Sequence, residues 1–318
     1  MNAPHDEVAL TKGRPEEIRA VPVRHPGRWV GVAVIAVLVA MFAHAMLTNK
    51  QLHWDIVGEI LRDPTILRGL GTTLELTALS MVIGIVGGIL LAVLRLSHNP
   101  VLSGVAWVYI WVFRGTPVLV QLLVWNFLGA IFPKVSIGIP FGPTFHSWNY
   151  NDLVPLFAVA LLGLGLNEAA YMSEIVRAGI QSVDEGQAEA ASSLGLTHTQ
   201  TLRRIVLPQA MRVIIPPAGN ETISMLKTTS LVVVIALTDL TKAGQDIGSR
   251  TFQNIPELIA VSLWYLLVTS VLTIGQYYVE RHFSRGSNRQ LPDTPLQRLR
   301  KTLFSLRRQP VTAAGGAK

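Results

Sequence analysis

A chain of 318 residues, half of them hydrophobic and only 15% charged, is too apolar for an ordinary soluble domain of its length. Its formal charge of +7 comes from basic residues gathered at chain ends and loops, not interleaved with aromatics on one surface, which argues against nucleic acid as a partner. No cysteine means no disulfide framework and no thiolate metal site, and the eight histidines are scattered without metal-motif spacing. The lipid bilayer is the natural solvent.

The chain opens with a mixed-charge tail over 1–29. The apolar run 30–47 is longer than the ~7–15-residue core of a signal peptide and reads as a retained span. An external segment over 48–69 follows. A membrane helix needs roughly 20 mostly apolar residues, and further stretches qualify at 70–94, 115–132, 153–175, 218–236 and 258–279. The expectation is an all-α polytopic transmembrane helical bundle of about six spans, since every backbone polar group inside lipid must find an internal partner and no strand-like alternation points to a barrel. Residues 100–113 are also apolar but are closed off by Arg114, Gly115, Thr116 and Pro117. Two readings stay open there: a helix along the membrane interface, with Trp107, Tyr109 and Trp111 at headgroup depth, or one long helix kinked at Pro117. Gly84 and Gly88, four apart, would let another helix approach closely.

Orientation follows from the flanking cations. The tail over 281–318 sets Arg281, Arg285, Arg289, Arg298, Arg300, Lys301, Arg307, Arg308 and Lys318 against Asp293, so this end is expected to be cytoplasmic. Counting back through the spans places the N-terminus inside as well. The polar insert over 181–208 is also inside, and the 133–152 and 237–256 loops are outside.

That insert reads as two short helices. Ser182 followed by Glu185 matches a capping box, and the helix so started is expected to stop near Gly195. Thr197 and Gln200 repeat the box, opening a second helix with Leu202, Ile205 and Val206 on one side before Pro208 interrupts it. Helices of this length are marginal in water without a packing surface, so the hairpin calls for a cytoplasmic partner.

Lys227 and Glu168 fall near the middle of their spans, where each would cost ~2.5–3.5 kcal/mol facing lipid, so both are expected to face the interior. One reading pairs them with each other or uses Lys227 to cap carbonyls. The other makes Lys227, with the hydroxyls of Thr228, Thr229 and Ser230, part of a midplane site for a zwitterionic solute, to which Asn167, Glu168 and Tyr171 contribute from one helical face. Glu174 and Arg177 read as an i,i+3 pair. The chain lacks the G-x-x-x-x-G-K-[ST] loop that cradles nucleotide phosphates, so it is expected to be no enzyme and to hold no cofactor or metal.

Glu189, Ala190, Ala191, Gly195, Ile205, Leu207 and Pro208 together resemble the EAA signature of permease subunits of ATP-binding-cassette importers. Phe113–Arg114–Gly115–Thr116–Pro117, Leu166–Asn167–Glu168–Ala169–Ala170–Tyr171, Glu174–Ile175–Val176–Arg177 and Lys227–Thr228–Thr229–Ser230–Leu231 are similar to the polar amino acid branch of that family, in which Asp often follows the lysine where this chain has Thr228. The resemblance implies a permease core over 70–280, preceded by an extra N-terminal helix, in a bacterial inner membrane. It implies an ATPase subunit that carries ATP and Mg and seats the EAA hairpin, an extracytoplasmic amino-acid-binding protein, and a second permease subunit. The implied activity is import of polar amino acids by alternating access. An ion-coupled secondary amino acid transporter is the alternative.

Overall fold

The structure is a computed structural model that describes residues 26–139 and 142–283; both charged tails, 1–25 and 284–318, lie outside the described residues. Two compact units are distinguished, divided after Leu52. The first contributes helix α1, Pro26–Thr48, and a 3-10 turn at Lys50–Leu52. Helix α1 is long and apolar enough to cross a membrane.

The second unit begins with α2, Trp54–Ile60, and α3, Pro64–Arg95. Helix α3 starts earlier than hydropathy alone suggests, because Asp63 caps it by accepting from the Thr65 amide at 2.7 Å and Pro64 supplies a preset first-turn φ. The same device recurs at Asn99 and Pro100, where the Asn99 side chain accepts from the Val101 amide at 2.9 Å and opens α4, Pro100–Gly115. Helix α5, Val118–Ile131, then leaves α4 at an angle of 105°. This break excludes one long kinked helix through Pro117, and the span expected over 115–132 is the shorter α5. Thr116 and Pro117 are both extended, as the residue before a proline prefers, so the helix ends there.

A small hairpin follows that the sequence pattern did not suggest: β1, Lys134–Gly138, antiparallel to β2, Thr144–Asn149, with Val135 opposite Trp148 and Ile137 opposite His146. It leads through α6, Tyr150–Leu153, into α7, Leu156–Gln181. The polar hairpin over 181–208 comprises α8, Glu185–Ser193, and α9, His198–Thr201. A π-helical turn, Leu202–Val206, joins α9 to α10, Leu207–Thr228, which tightens into a 3-10 stretch over Thr229–Ile235. Helices α11, Leu240–Thr251, and α12, Asn254–Phe283, complete the unit. Among the described residues four helices are long and apolar enough to span, or six if each bent pair counts as one.

The core of the unit is the pairing of α3 with α7. Gly84 meets Glu168, and a Cβ at Gly88 would stand 2.6 Å from that of Met172, so the two helices run parallel with their small residues in the seam. Around this pair Leu76, Leu122, Leu164, Met172 and Met225 are buried together. A second cluster joins Val57, Ile60, Ile66, Leu240 and Val261 where α2, α3, α11 and α12 converge. There the buried Thr73 accepts the Leu240 amide at 3.0 Å, and Trp264 of α12 donates to the Leu61 carbonyl at 3.2 Å.

Candidate functional site

The polar hairpin is built by local rules, with two corrections to the sequence reading. Asp184, not Ser182, caps α8, its carboxylate accepting from the Gly186 amide at 2.8 Å. Ser182 instead ends α7, its hydroxyl donating to the Gly179 carbonyl at 2.7 Å, because the preceding helix runs on to Gln181 and leaves no room for an earlier start. The C-terminus of α8 is a Schellman turn: the Leu196 amide donates to Ala191 at 3.1 Å and the Gly195 amide to Ser192 at 3.0 Å, with Gly195 at φ +75°. Thr197 and Gln200 form the expected capping box.

Pro208 does not interrupt the second helix. The chain runs helically from His198 to Ile235. A proline removes the amide that would bond to the carbonyl four residues earlier and its ring crowds that carbonyl. Widening the preceding turn relieves both, and the Leu207 amide here donates five residues back, to Leu202. Of the signature residues, Ala191 is buried, Ile205 is half-buried, and Glu189, Ala190, Leu207 and Pro208 are exposed. Leu194, which sequence reasoning passed over, projects at the turn with 81% of its surface free.

In the middle of the bundle the expected residues are divided. Asn167 is buried and donates to the Phe113 carbonyl at 2.9 Å and to Gln121 Oε1 at 3.3 Å. Gln121, another residue the sequence reading missed, donates to the carbonyls of Phe113 and Thr116 at 2.9 and 3.1 Å and to the Thr116 hydroxyl at 2.8 Å. The two amides thus satisfy the backbone groups freed at the 105° break and hold Arg114 in place. A glutamine within an otherwise apolar run was the available signal.

Glu168 is 4% exposed and lies in the α3–α7 seam against Gly84. Lys227 is exposed on the last turn of α10, and no ion pair joins it to Glu168 among the described residues, so the mutual pairing considered from sequence is not formed. The hydroxyls of Thr228, Thr229 and Ser230 donate to the carbonyls of Ser224, Leu226 and Lys227 at 3.0, 2.6 and 2.7 Å, back-bonding where the helix tightens. Thr229 is fully buried.

Tyr171 lines a groove of about 420 Å³ between α4, α7 and α10. Arg114 enters it from the end of α4 and lies over the Tyr171 ring, 5.2 Å from its centre. Glu174 and Glu221 are the acids of the groove. Glu174 is occupied by the expected pair with Arg177, at 2.6 Å, whereas neither Arg114 nor Glu221 makes an ion pair among the described residues. Pro217, also in the wall, lacks the amide that would bond to the Val213 carbonyl, and Val213 lines the same groove. The groove therefore presents a guanidinium and a carboxylate that make no ion pair among the described residues.

Residues 84–285 match the family described as binding-protein-dependent transport system inner membrane component. The chain is 49% identical over 280 residues to the arginine transport system permease protein ArgU of Corynebacterium glutamicum, covering 87% of each chain. It is 35% identical over 242 residues to the L-cystine transport system permease protein TcyB of Bacillus subtilis, covering 76% of this chain and 95% of the relative. Among solved structures, an amino acid ABC transporter crystallised with histidines matches at 37% identity and a TM-score of 0.59, over 69% of this chain and 94% of that one. The chain belongs to the binding-protein-dependent transport family. It is a multi-pass inner membrane permease subunit of an ABC importer, and its bent, helical bundle is that family's fold.

Proposed function

We propose that this permease carries polar amino acids into the cytoplasm through the groove between α4, α7 and α10. The observation that carries the reading is Arg114 and Glu221 in one cavity, neither in an ion pair among the described residues: a guanidinium suits an α-carboxylate, bidentately, and a carboxylate suits an ammonium or guanidinium. Arg114 is exposed and Glu221 half-buried, and on this reading the partner of each arrives with the substrate. Glu174, Tyr171 and Ile175 shape the wall. The names of the relatives, arginine and cystine permeases, agree with a solute that bears both charges. On this reading Asn167 positions the site through the Arg114 turn. Glu168 holds α3 to α7, and Lys227 with Thr228, Thr229 and Ser230 lies along the continuing path.

Glu189, Ala190, Ala191, Gly195, Ile205, Leu207 and Pro208 form the seat for a cytoplasmic ATPase subunit, with Leu194 as the projecting contact. ATP and Mg act on that partner. An extracytoplasmic binding protein delivers the solute, and a second permease subunit completes the assembly. The basic flanks of the chain support a cytoplasmic position for both termini and for the hairpin.

The test is ATP-dependent uptake of a panel of radiolabelled amino acids in vesicles holding the permease, its candidate ATPase and its candidate binding protein, with each omitted in turn. Uptake that requires all components, falls about tenfold or more in Arg114→Ala, and shifts in amino acid preference in Glu221→Gln supports the reading. Uptake that persists without the ATPase overturns it in favour of an ion-coupled transporter. Wild-type uptake by both variants removes the groove from the path.

A further inference from the structure

A second groove, also of about 420 Å³, lies on the other side of Glu174 and is lined by Arg95, Trp107, Trp111, Arg114 and Arg177. We propose that it binds the headgroup of an anionic phospholipid in the leaflet on the side of the coupling hairpin. Depth supports a headgroup. Arg95 is the last residue of α3, and Arg177 lies one turn from the end of α7, whose parallel packing against α3 brings both guanidiniums to the same level at the end of the spans. Hydrocarbon gives way to headgroups at that level.

Charge supports an anion. Glu174, the acid among the groove's lining residues, is taken by Arg177, which forks onto both of its oxygens at 3.3, 3.3 and 2.6 Å. Arg95 is held by the neutral Ser103 hydroxyl at 2.8 Å, and Arg114 lies over a ring rather than against an acid. The groove thus keeps an excess of positive charge, and basic pockets between membrane helices are built for phosphate-bearing headgroups. The aromatic rim points to a lipid rather than to a free anion. Trp107 and Trp111 are 51% and 63% exposed and stack nearly parallel, 6.2 Å apart, giving an amphipathic wall at the depth where tryptophans meet headgroups and upper acyl chains.

The experiment measures lipid retention by the purified full chain in native mass spectrometry after exchange into phosphatidylglycerol, into phosphatidylcholine, and into phosphatidylcholine with inorganic phosphate. Phosphatidylglycerol is expected to bind preferentially and inorganic phosphate to leave no adduct. Arg95→Gln is expected to weaken the preference about fivefold, with Arg95→Lys intermediate. Trp111→Ser is expected to shorten lipid retention without abolishing the preference. Arg62→Gln, an exposed arginine just before the opposite end of α3, serves as the control and is expected to change nothing. A thermal melt of each variant separates loss of the site from loss of the fold. Equal retention of both lipids, an unchanged preference in a folded Arg95→Gln, phosphate binding as tight as lipid binding, or crosslinking of Trp111 positions between two copies of the chain would each overturn the proposal.

Discussion

Replacing Gly195 by valine isolates the backbone contribution to the hairpin proposed to seat the ATPase. Nothing lies within 4 Å of a Cβ placed on Gly195, so the new side chain meets no obstacle and its cost is conformational. At φ +75° an L-residue pays roughly 1–2 kcal/mol, with a β-branched residue at the upper end. That lowers the ratio of intact to opened turns about 5- to 30-fold. Opening releases the Leu196 to Ala191 and Gly195 to Ser192 hydrogen bonds and lets Leu194 swing away from its projecting position. Asparagine tolerates the left-handed region, so Gly195→Asn is the matched control. The assay pairs amide hydrogen exchange at residues 195 and 196 with the ratio of solute taken up to ATP hydrolysed in the assembled transporter. Faster exchange and a lower ratio are expected for valine and near-normal values for asparagine. Native exchange and coupling in Gly195→Val, or equal damage from both substitutions, would refute the reasoning.

Gln121→Leu strands the freed backbone at the α4–α5 break, and a loss of about 1–3 kcal/mol should lower the melting temperature by a few degrees while also weakening solute binding at Arg114; an unchanged melt would show that water replaces the amide. Pro208→Ala restores the missing amide and removes the reason for the π turn. Its annealing to α-helix would rotate the hairpin by about 100° relative to α10. Spin-label distances between residue 194 and the end of α7 should report that shift, and unchanged distances would separate the π turn from the proline. Gly84→Leu drives a side chain into Glu168 across the parallel seam and is expected to abolish assembly, whereas Leu at the open Gly71 of the same helix should be tolerated; equal expression of both would contradict the seam. Lys227→Met should assemble normally and lose substrate-stimulated transport, and wild-type uptake would take Lys227 off the path.

Features governed by short-range rules were legible in the sequence. Residues a few positions apart decide helix capping, so Thr197, Gln200 and the Gly195 turn could be read directly, and the length of apolar runs marked the long helices α3, α7 and α12. The Glu174–Arg177 pair followed from helical spacing. The same rules failed where a longer-range choice intervened. Ser182 had the spacing of a cap, but α7 claimed it, and Pro208 looked like a stop because a π turn is a cooperative adjustment that no single residue announces.

Only the tertiary structure decided which polar residues share a cavity. Arg114 comes from α4, Tyr171 and Glu174 from α7 and Glu221 from α10, and the bend that delivers Arg114 is held by Gln121 and Asn167, whose mutual hydrogen bond closes between residues 46 positions apart. Helical periodicity places Glu168 and Tyr171 on one helix, yet it does not say which neighbour each will face. The parallel packing of α3 on α7 buried one against Gly84 and left the other in the groove. The physical reason is that hydropathy and capping act along the chain, whereas a binding site is a set of unpaired charges brought together by packing across it.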